Sequence, residues 1–278
     1  MNIWLINHYA VPPKYYPLAR TTNFAKYLMR MGHTVTIFAA SSVHNSDINL
    51  ITDGQAWREE TVDGVHYVYV RCRSYTGNGK QRIINMFEFP HRLKKVCRHF
   101  SRPDAVLASS ATPPACMAGL DIAKGYGAKA LAEVSDLWPR SFIEYGFFSA
   151  SNPVLIPMYA YEKRIYQKAD ALIFTMEGAY DYIVEQGWDK EIPCSKVHYI
   201  NNGVDLEQFD YNKEHFRVED ADLDEPDTFK IVYTGSIRKV NNLGLLLDAA
   251  KNVKDSRVKI LIWGDGDERA ALEQRVRE

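Results

Sequence analysis

Cysteine is scarce: Cys72, Cys97, Cys116 and Cys194 are the only four in 278 residues, far apart and never in a CxxC pair. That spacing argues against a structural zinc or a redox couple, and thiols in apolar or turn contexts point to a reducing, cytosolic setting. Long apolar runs are missing too. No stretch reaches the roughly 18 residues of a membrane-spanning helix. The opening "MNIWLINHYAVPPK" has no basic region ahead of its apolar residues, so it does not read as a secretory leader. Charge of one sign is also lacking. Thirty-four Lys and Arg balance 35 Asp and Glu for a net charge of −1, which removes the electrostatic case for nucleic acid. No repeat of 20–50 residues is visible.

What is present is an ordinary globular composition, 46% hydrophobic and 25% charged, with a length that suits two domains. Over the first two hundred residues β-like and α-like patterns alternate. Strands are expected at 3–7, 33–39, 65–70, 104–109, 128–134, 169–174 and 196–200. Helices are expected at 18–31, closed by Gly32, at 81–100 with a break near Pro90, and from Thr112, with its hydroxyl as N-cap, to the glycines at 125–127. Two more are expected at 152–168 and 177–186. Such alternation implies βαβ units and a mostly parallel sheet. Residues 1–204 are read as the first domain and the aperiodic, acidic 205–228 as a linker. Residues 229–278 read as the strand–helix–strand–helix opening of a second domain, incomplete in this chain. About 50 residues rarely bury enough surface to stand alone.

Ligands of open parallel sheets bind beyond the carboxyl ends of the strands. The exits to watch are His8 to Arg20, Ser109-Ser110, Ser135 to Pro139 with Asp136 and Trp138, and Asn201 to Asp205. In the second half they are Gly235-Ser236-Ile237-Arg238-Lys239 and Gly264-Asp265-Gly266.

Three runs carry a resemblance: "AEVSDLWPRS", "EKRIYQKADALIFTMEGAYDYIVEQG…KVHYINNGVDLEQF" and "IVYTGSIRKVNNLGLLLDAAK…ILIWGDGDE". Taken in this order, DLWP, NGVD and GDG resemble family 4 glycosyltransferases of the GT-B fold, closest in flavour to bacterial enzymes of capsule, O-antigen or colanic-acid-type synthesis. The resemblance implies two Rossmann-like domains with parallel sheets facing one cleft. It also implies a nucleotide-diphosphate sugar donor, no metal or other cofactor, transfer with retention, and an acceptor on the first domain. Three departures stand out. The family's Gly-Gly after the first strand is replaced by "PPKYYPLAR", with Tyr16-Pro17 near the expected glycines. Its Lys-Gly is replaced by "RKVNN", and its Glu-x7-Glu is expected beyond position 278.

Breaking a sugar–phosphate bond puts negative charge on the diphosphate, which needs cations or bare backbone N–H groups. Arg238 and Lys239 are candidates for that charge, or ordinary solvated residues. Gly235, Ser236, Gly264, Asp265 and Gly266 are candidates for close approach to the donor. Asp136 is the candidate to orient or deprotonate the acceptor hydroxyl, or else a turn residue holding the Trp138-Pro139 corner. His8 is a second catalytic candidate, or satisfies local backbone. Arg20, Ser110, Trp138 and Glu177 are candidates for the acceptor. Arg20 equally solvates its helix, and Glu177 equally complements a helix dipole in the first turn.

The segment 80–100 mixes six Lys or Arg with Ile, Met and Phe. It is either a basic face resting on anionic lipid at the inner side of the plasma membrane, suiting a polyprenyl-linked glycan acceptor, or a packed helix with a solvated face. The run Tyr145 to Phe148 is ambiguous in the same way. A metal-dependent GT-A enzyme is disfavoured, because Asp265-Gly266-Asp267 comes too late in the chain. The remaining alternatives are a non-catalytic sugar-binding or partner subunit and a nucleotide-sugar 2-epimerase.

Overall fold

A computed structural model describes residues 1–15, 20–44, 46–77 and 79–277. Tyr16, Pro17 and Leu18 lie outside the described residues. In chain order the elements are β1 (Asn2–Ile6), α1 (Arg20–Arg30), β2 (Thr34–Ala40), β3 (Trp57–Val62), β4 (Val65–Val70), α2 (Lys80–Val96), β5 (Ala105–Ser109), α3 (Pro113–Tyr126), β6 (Lys129–Val134) and α4 (Arg140–Glu144). They continue with α5 (Leu155–Lys168), β7 (Ala171–Phe174), α6 (Ala179–Glu185), β8 (Val197–Tyr199), α7 (Leu206–His215), α8 (Ala221–Asp224), β9 (Phe229–Thr234), α9 (Leu243–Ala250), β10 (Val258–Trp263) and α10 (Arg269–Arg277).

The chain divides into two compact units: 1–144 with 148–204, and 145–147 with 205–278. In the first, eight strands run in the order β3-β4-β2-β1-β5-β6-β7-β8. All neighbours are parallel except β3 with β4. The strand order turns back between β1 and β5, whose register pairs Ile3 with Ala105 and Ile6 with Ala108. Alternate residues of β1 feed two cores. Trp4 and Ile6 pack with Phe38, Phe89, Leu120 and Phe174 on one face, and Ile3 and Leu5 pack with Ala25, Ile37 and Tyr67 on the other. Helix α3 lies so close to the sheet that a Cβ at Gly119 would collide with the Ala108 methyl, 2.6 Å away. Glycine at that position lets α3 seat against β1 and β5.

The second unit is thinner. Its sheet holds only β9 and β10, parallel and in register from Phe229 with Val258 to Thr234 with Trp263. Among its described residues only Ile237 and Leu243 are buried. A groove of about 990 Å³, lined by Leu247, Ile260, Ile262, Trp263 and Leu272, stays open beside the sheet.

Several sequence expectations are corrected. The helix α2 runs unbroken through Pro90: a proline removes one backbone bond, but buried Phe89, Leu93 and Val96 anchor the turns on either side. Thr112 sits at the N-cap of α3 without a side-chain cap bond, its Oγ1 buried and without a partner among the described residues. Glu177 precedes Gly178, the N-cap of α6, so it lies outside that helix. Residues 205–228 hold α7 and α8, each capped by an aspartate, Asp205 and Asp220. All four cysteines are free thiols. Among the described residues, no helix is long and apolar enough to cross a membrane and no cluster of His, Cys, Asp or Glu is suited to a metal.

Candidate functional site

The carboxyl ends of β1, β5 and β6 converge where the strand order reverses, and two pockets open there, both within the first unit. One, of about 390 Å³, is mixed: Asn7, Tyr9, Arg20, Thr21, His44 and Asp136 bring polar groups, and Ala10, Val11 and Ala111 bring apolar ones. The other, of about 420 Å³, is almost wholly apolar, with Met86 and Phe87 from α2, Pro113 and Pro114 from α3, and Met158 and Ile165 from α5. Asp136, just past the end of β6, lines both.

Asp136 is exposed at this junction, yet the walls around it strip enough water to raise its pKa. No hydrogen bond among the described residues offsets that rise. A carboxylate of this kind is a stronger proton acceptor than a solvated one. Beside it, Ser110 Oγ and Trp138 Nε1 are buried without a hydrogen-bond partner among the described residues. Both side chains belong to the apolar pocket's lining, and such groups are expensive to leave unmade. The Trp138 ring is held edge-on by Phe142, 4.6 Å between centroids.

The mixed pocket is shaped by local bonds. Asn7 Nδ2 donates to Thr21 Oγ1 at 2.9 Å, and the Tyr9 N–H donates back to Asn7 Oδ1. The Tyr9 and His44 rings stack at 4.3 Å, and His44 Nδ1 lies 2.7 Å from the Tyr75 hydroxyl.

Arg20 reaches this pocket with its fork committed elsewhere. Nε donates to Glu133 at 2.7 Å, Nη1 to the Asn201 carbonyl and Asn202 Oδ1, and Nη2 to the Ile200 carbonyl. It thus ties α1 to β6 and to the segment after β8, leaving few donors for an acceptor phosphate. His8 lines neither pocket. It is 1% exposed, between the rings of Tyr9 and Phe89. Its Nε2 meets Asn85 Oδ1 at 2.6 Å. Since Asn85 Nδ2 donates to Ser42 Oγ and the Arg73 carbonyl, its oxygen must accept, and the His8 proton is assigned to Nε2. Burial lowers the His8 pKa to about 4, and Nδ1 is left a bare acceptor. Glu177 is exposed in the turn before α6 and belongs to neither pocket.

In the second unit the two glycine turns dock on each other. The Ile237 N–H donates to the Asp265 carbonyl at 2.9 Å and the Gly235 N–H to the Trp263 carbonyl at 3.0 Å. A Cβ at Gly264 would strike the Gly235 carbonyl, and one at Gly266 the Ile237 carbonyl. These glycines therefore have a packing reason independent of any ligand. The carbonyl of Ser236 accepts from the Tyr233 hydroxyl, and Asp265 caps the Gly266 N–H. Arg238 and Lys239 are exposed with no side-chain partner among the described residues, at a short 3₁₀ turn that separates the first glycine turn from α9.

Sequence reasoning missed Glu162 and Asn85. Each stands in the buried stripe of a helix otherwise filled by apolar side chains, Leu155, Ile165 and Tyr166 in one case, Phe89 and Leu93 in the other. A polar residue at such a position is the signal. Glu162 lines the apolar pocket and accepts from the Tyr166 and Tyr182 hydroxyls, both at 2.7 Å. Burial pushes its pKa up to about 7 against those two bonds.

The model of Glycosyltransferase Family 4 matches residues 19–208. The chain belongs to that family. No curated protein matches the sequence. Among solved structures, this family 4 chain is similar to trehalose-6-phosphate from E. coli bound with UDP-2-fluoro glucose, with TM-score 0.60 at 9% identity over 100% of this chain and 68% of that one. It is also similar to an α,α-trehalose-phosphate synthase (UDP-forming) from Burkholderia vietnamiensis, with TM-score 0.56 at 11% identity over 99% and 67%. A third is Arabidopsis thaliana UGT89C1 complexed with UDP, with TM-score 0.51 at 13% identity over 99% and 68%. At such identities the likeness concerns the fold, which is GT-B. Family and fold together make this a glycosyltransferase.

Proposed function

We propose that the protein transfers a hexose-type sugar, with retention, from a nucleotide-diphosphate sugar to a hydroxyl of a lipid-linked glycan in cell-surface polysaccharide synthesis. The observation that carries this is Asp136, a carboxylate with raised pKa and no hydrogen-bond partner among the described residues, at the junction of a mixed and an apolar pocket. There it orients the acceptor hydroxyl and draws on its proton as the new sugar–oxygen bond forms. The sugar–diphosphate bond breaks in the same event, and the leaving diphosphate takes the electron pair. Arg238 and Lys239 supply the positive charge that the diphosphate needs. Retention and the absence of a metal rest on the family resemblance, and a nucleotide-sugar donor accords with the UDP ligands of the neighbours. On α2, Ile83, Ile84 and Phe87 are exposed on one face with Lys80 and His91, which suits contact with the anionic inner face of a membrane.

Transfer assays and nucleotide titrations on two variants test the assignment. Asp136→Asn is expected to bind UDP or GDP as the parent does and to lose about 10²-fold or more in turnover. Turnover close to the parent's would return Asp136 to a structural role. Arg238→Ala is expected to weaken the diphosphate by about 1.5–3 kcal/mol, and unchanged affinity would remove Arg238 from the donor site.

A further inference from the structure

We propose that the apolar pocket between α2, the start of α3 and α5 is a dedicated subsite for an aliphatic chain joined to the acceptor sugar. This rests on Asp136 holding the acceptor. The two pockets that share Asp136 differ in chemistry, one mixed and one almost wholly apolar. Asn7, Thr21, Tyr9 and His44 offer hydrogen bonds and stacked rings, which match a saccharide. Met86, Phe87, Pro113, Pro114, Met158 and Ile165 offer none. A wholly hydrophilic acceptor would leave this second wall facing water, whereas an amphiphile with its sugar on one side of Asp136 and hydrocarbon on the other satisfies both.

The remaining charge on the apolar wall, Glu162, is already occupied by two phenol hydroxyls. It therefore asks nothing of a hydrocarbon beside it. The raised Glu162 pKa fits the same dry surroundings. Two methionines line the pocket, side chains that adapt to a flexible chain more readily than to a rigid ring. At about 30 Å³ for a water-sized group, 420 Å³ holds on the order of a dozen carbons. Phe87 lies partly in the pocket and is 61% exposed, next to Ile83 and Ile84 on the same helix, so a longer chain leaves along α2.

The test is a titration of the full chain with β-glucosides of butyl to dodecyl length, below their micelle concentrations, followed by calorimetry. Affinity is expected to rise by up to about fourfold per added methylene until the pocket is full. Met158→Trp, which fills the pocket from a partly buried position, is expected to weaken dodecyl glucoside by about tenfold or more. UDP should bind that variant as before, and butyl glucoside should lose less affinity than dodecyl glucoside. Affinity independent of chain length, or a chain-length slope unchanged in Met158→Trp, would overturn the subsite. The second result would mean adsorption on the exposed face of α2. Farnesyl phosphate against dodecyl phosphate then separates an isoprenoid from a straight chain. Failure here with Asp136→Asn inactive leaves the transferase standing, whereas a slope with Asp136→Asn fully active leaves only the subsite.

Discussion

His8 carries no charge at neutral pH because its ring is buried between Tyr9 and Phe89, with its pKa lowered to about 4. Unfolding restores an ordinary value near 6.5, so below that pH the unfolded chain takes up a proton that the folded one refuses. Stability from His8 is complete above about 6.5 and is lost as pH falls toward 4. Glu162 works the other way. Its pKa, raised from 4.5 to about 7, keeps the proton in the folded state, so its contribution is complete below about 4.5 and is lost as pH rises through 7. Each amounts to up to about 3 kcal/mol. Over pH 4.5–6.5 the two slopes oppose, and the parent should show a nearly flat profile in denaturant unfolding. Glu162→Gln is expected to expose the His8 slope, with stability climbing from pH 5 to 7. His8→Gln is expected to leave the falling slope of Glu162. A flat profile in both variants would mean that neither shift is present.

Between elements, one tie is the Arg20 fork, which joins α1 to buried Glu133 on β6 and to the carbonyls after β8. Removing one partner of a buried pair strands the other, at about 3–5 kcal/mol. Arg20→Ala should therefore lower the unfolding midpoint substantially, and Arg20→Lys should recover only part, since an ammonium cannot hold four acceptors in one plane. A thermal melt within a degree or two of the parent would show the tie to be dispensable. The elements themselves were unevenly legible. Strands such as β4 ("VHYVYV"), β6 ("KALAEV") and β10 ("VKILIW") announce themselves by mostly apolar, β-branched or aromatic runs. The strand β3 did not, because "WREETV" puts Arg58, Glu59 and Glu60 on an edge that stays largely in solvent. Pro90 misled because its effect on a helix is local while the packing of Phe89 and Leu93 is not. The strand exits that hold Asp136 and Ser110 were readable from βαβ order alone. The pockets were not, since α2 and α5 meet there from positions some seventy residues apart.

At the scale of the molecule, burial is shared unequally. The first unit fills both faces of its sheet, while the second buries only Ile237 and Leu243 among its described residues. Backbone amides of β1, β5 and β6 are therefore expected to exchange with solvent only through global opening, and those of β9 and β10 much faster. Exchange measured by mass spectrometry at equal rates in both sheets would contradict that inequality. The edges of the two sheets differ in kind as well. The large sheet ends on one side in the charged β3 and on the other in β8, a strand of three residues. Both endings discourage a passing strand from adding on. Among the described residues of the small sheet, Ile260-Leu261-Ile262-Trp263 pairs only with β9, and each strand carries one lysine, Lys230 and Lys259. If the protein misassembles with other copies at high concentration, the seed lies in "VKILIW" and "FKIVYT". A proline or a further charge placed there is expected to raise solubility, read as less light scattering at high concentration.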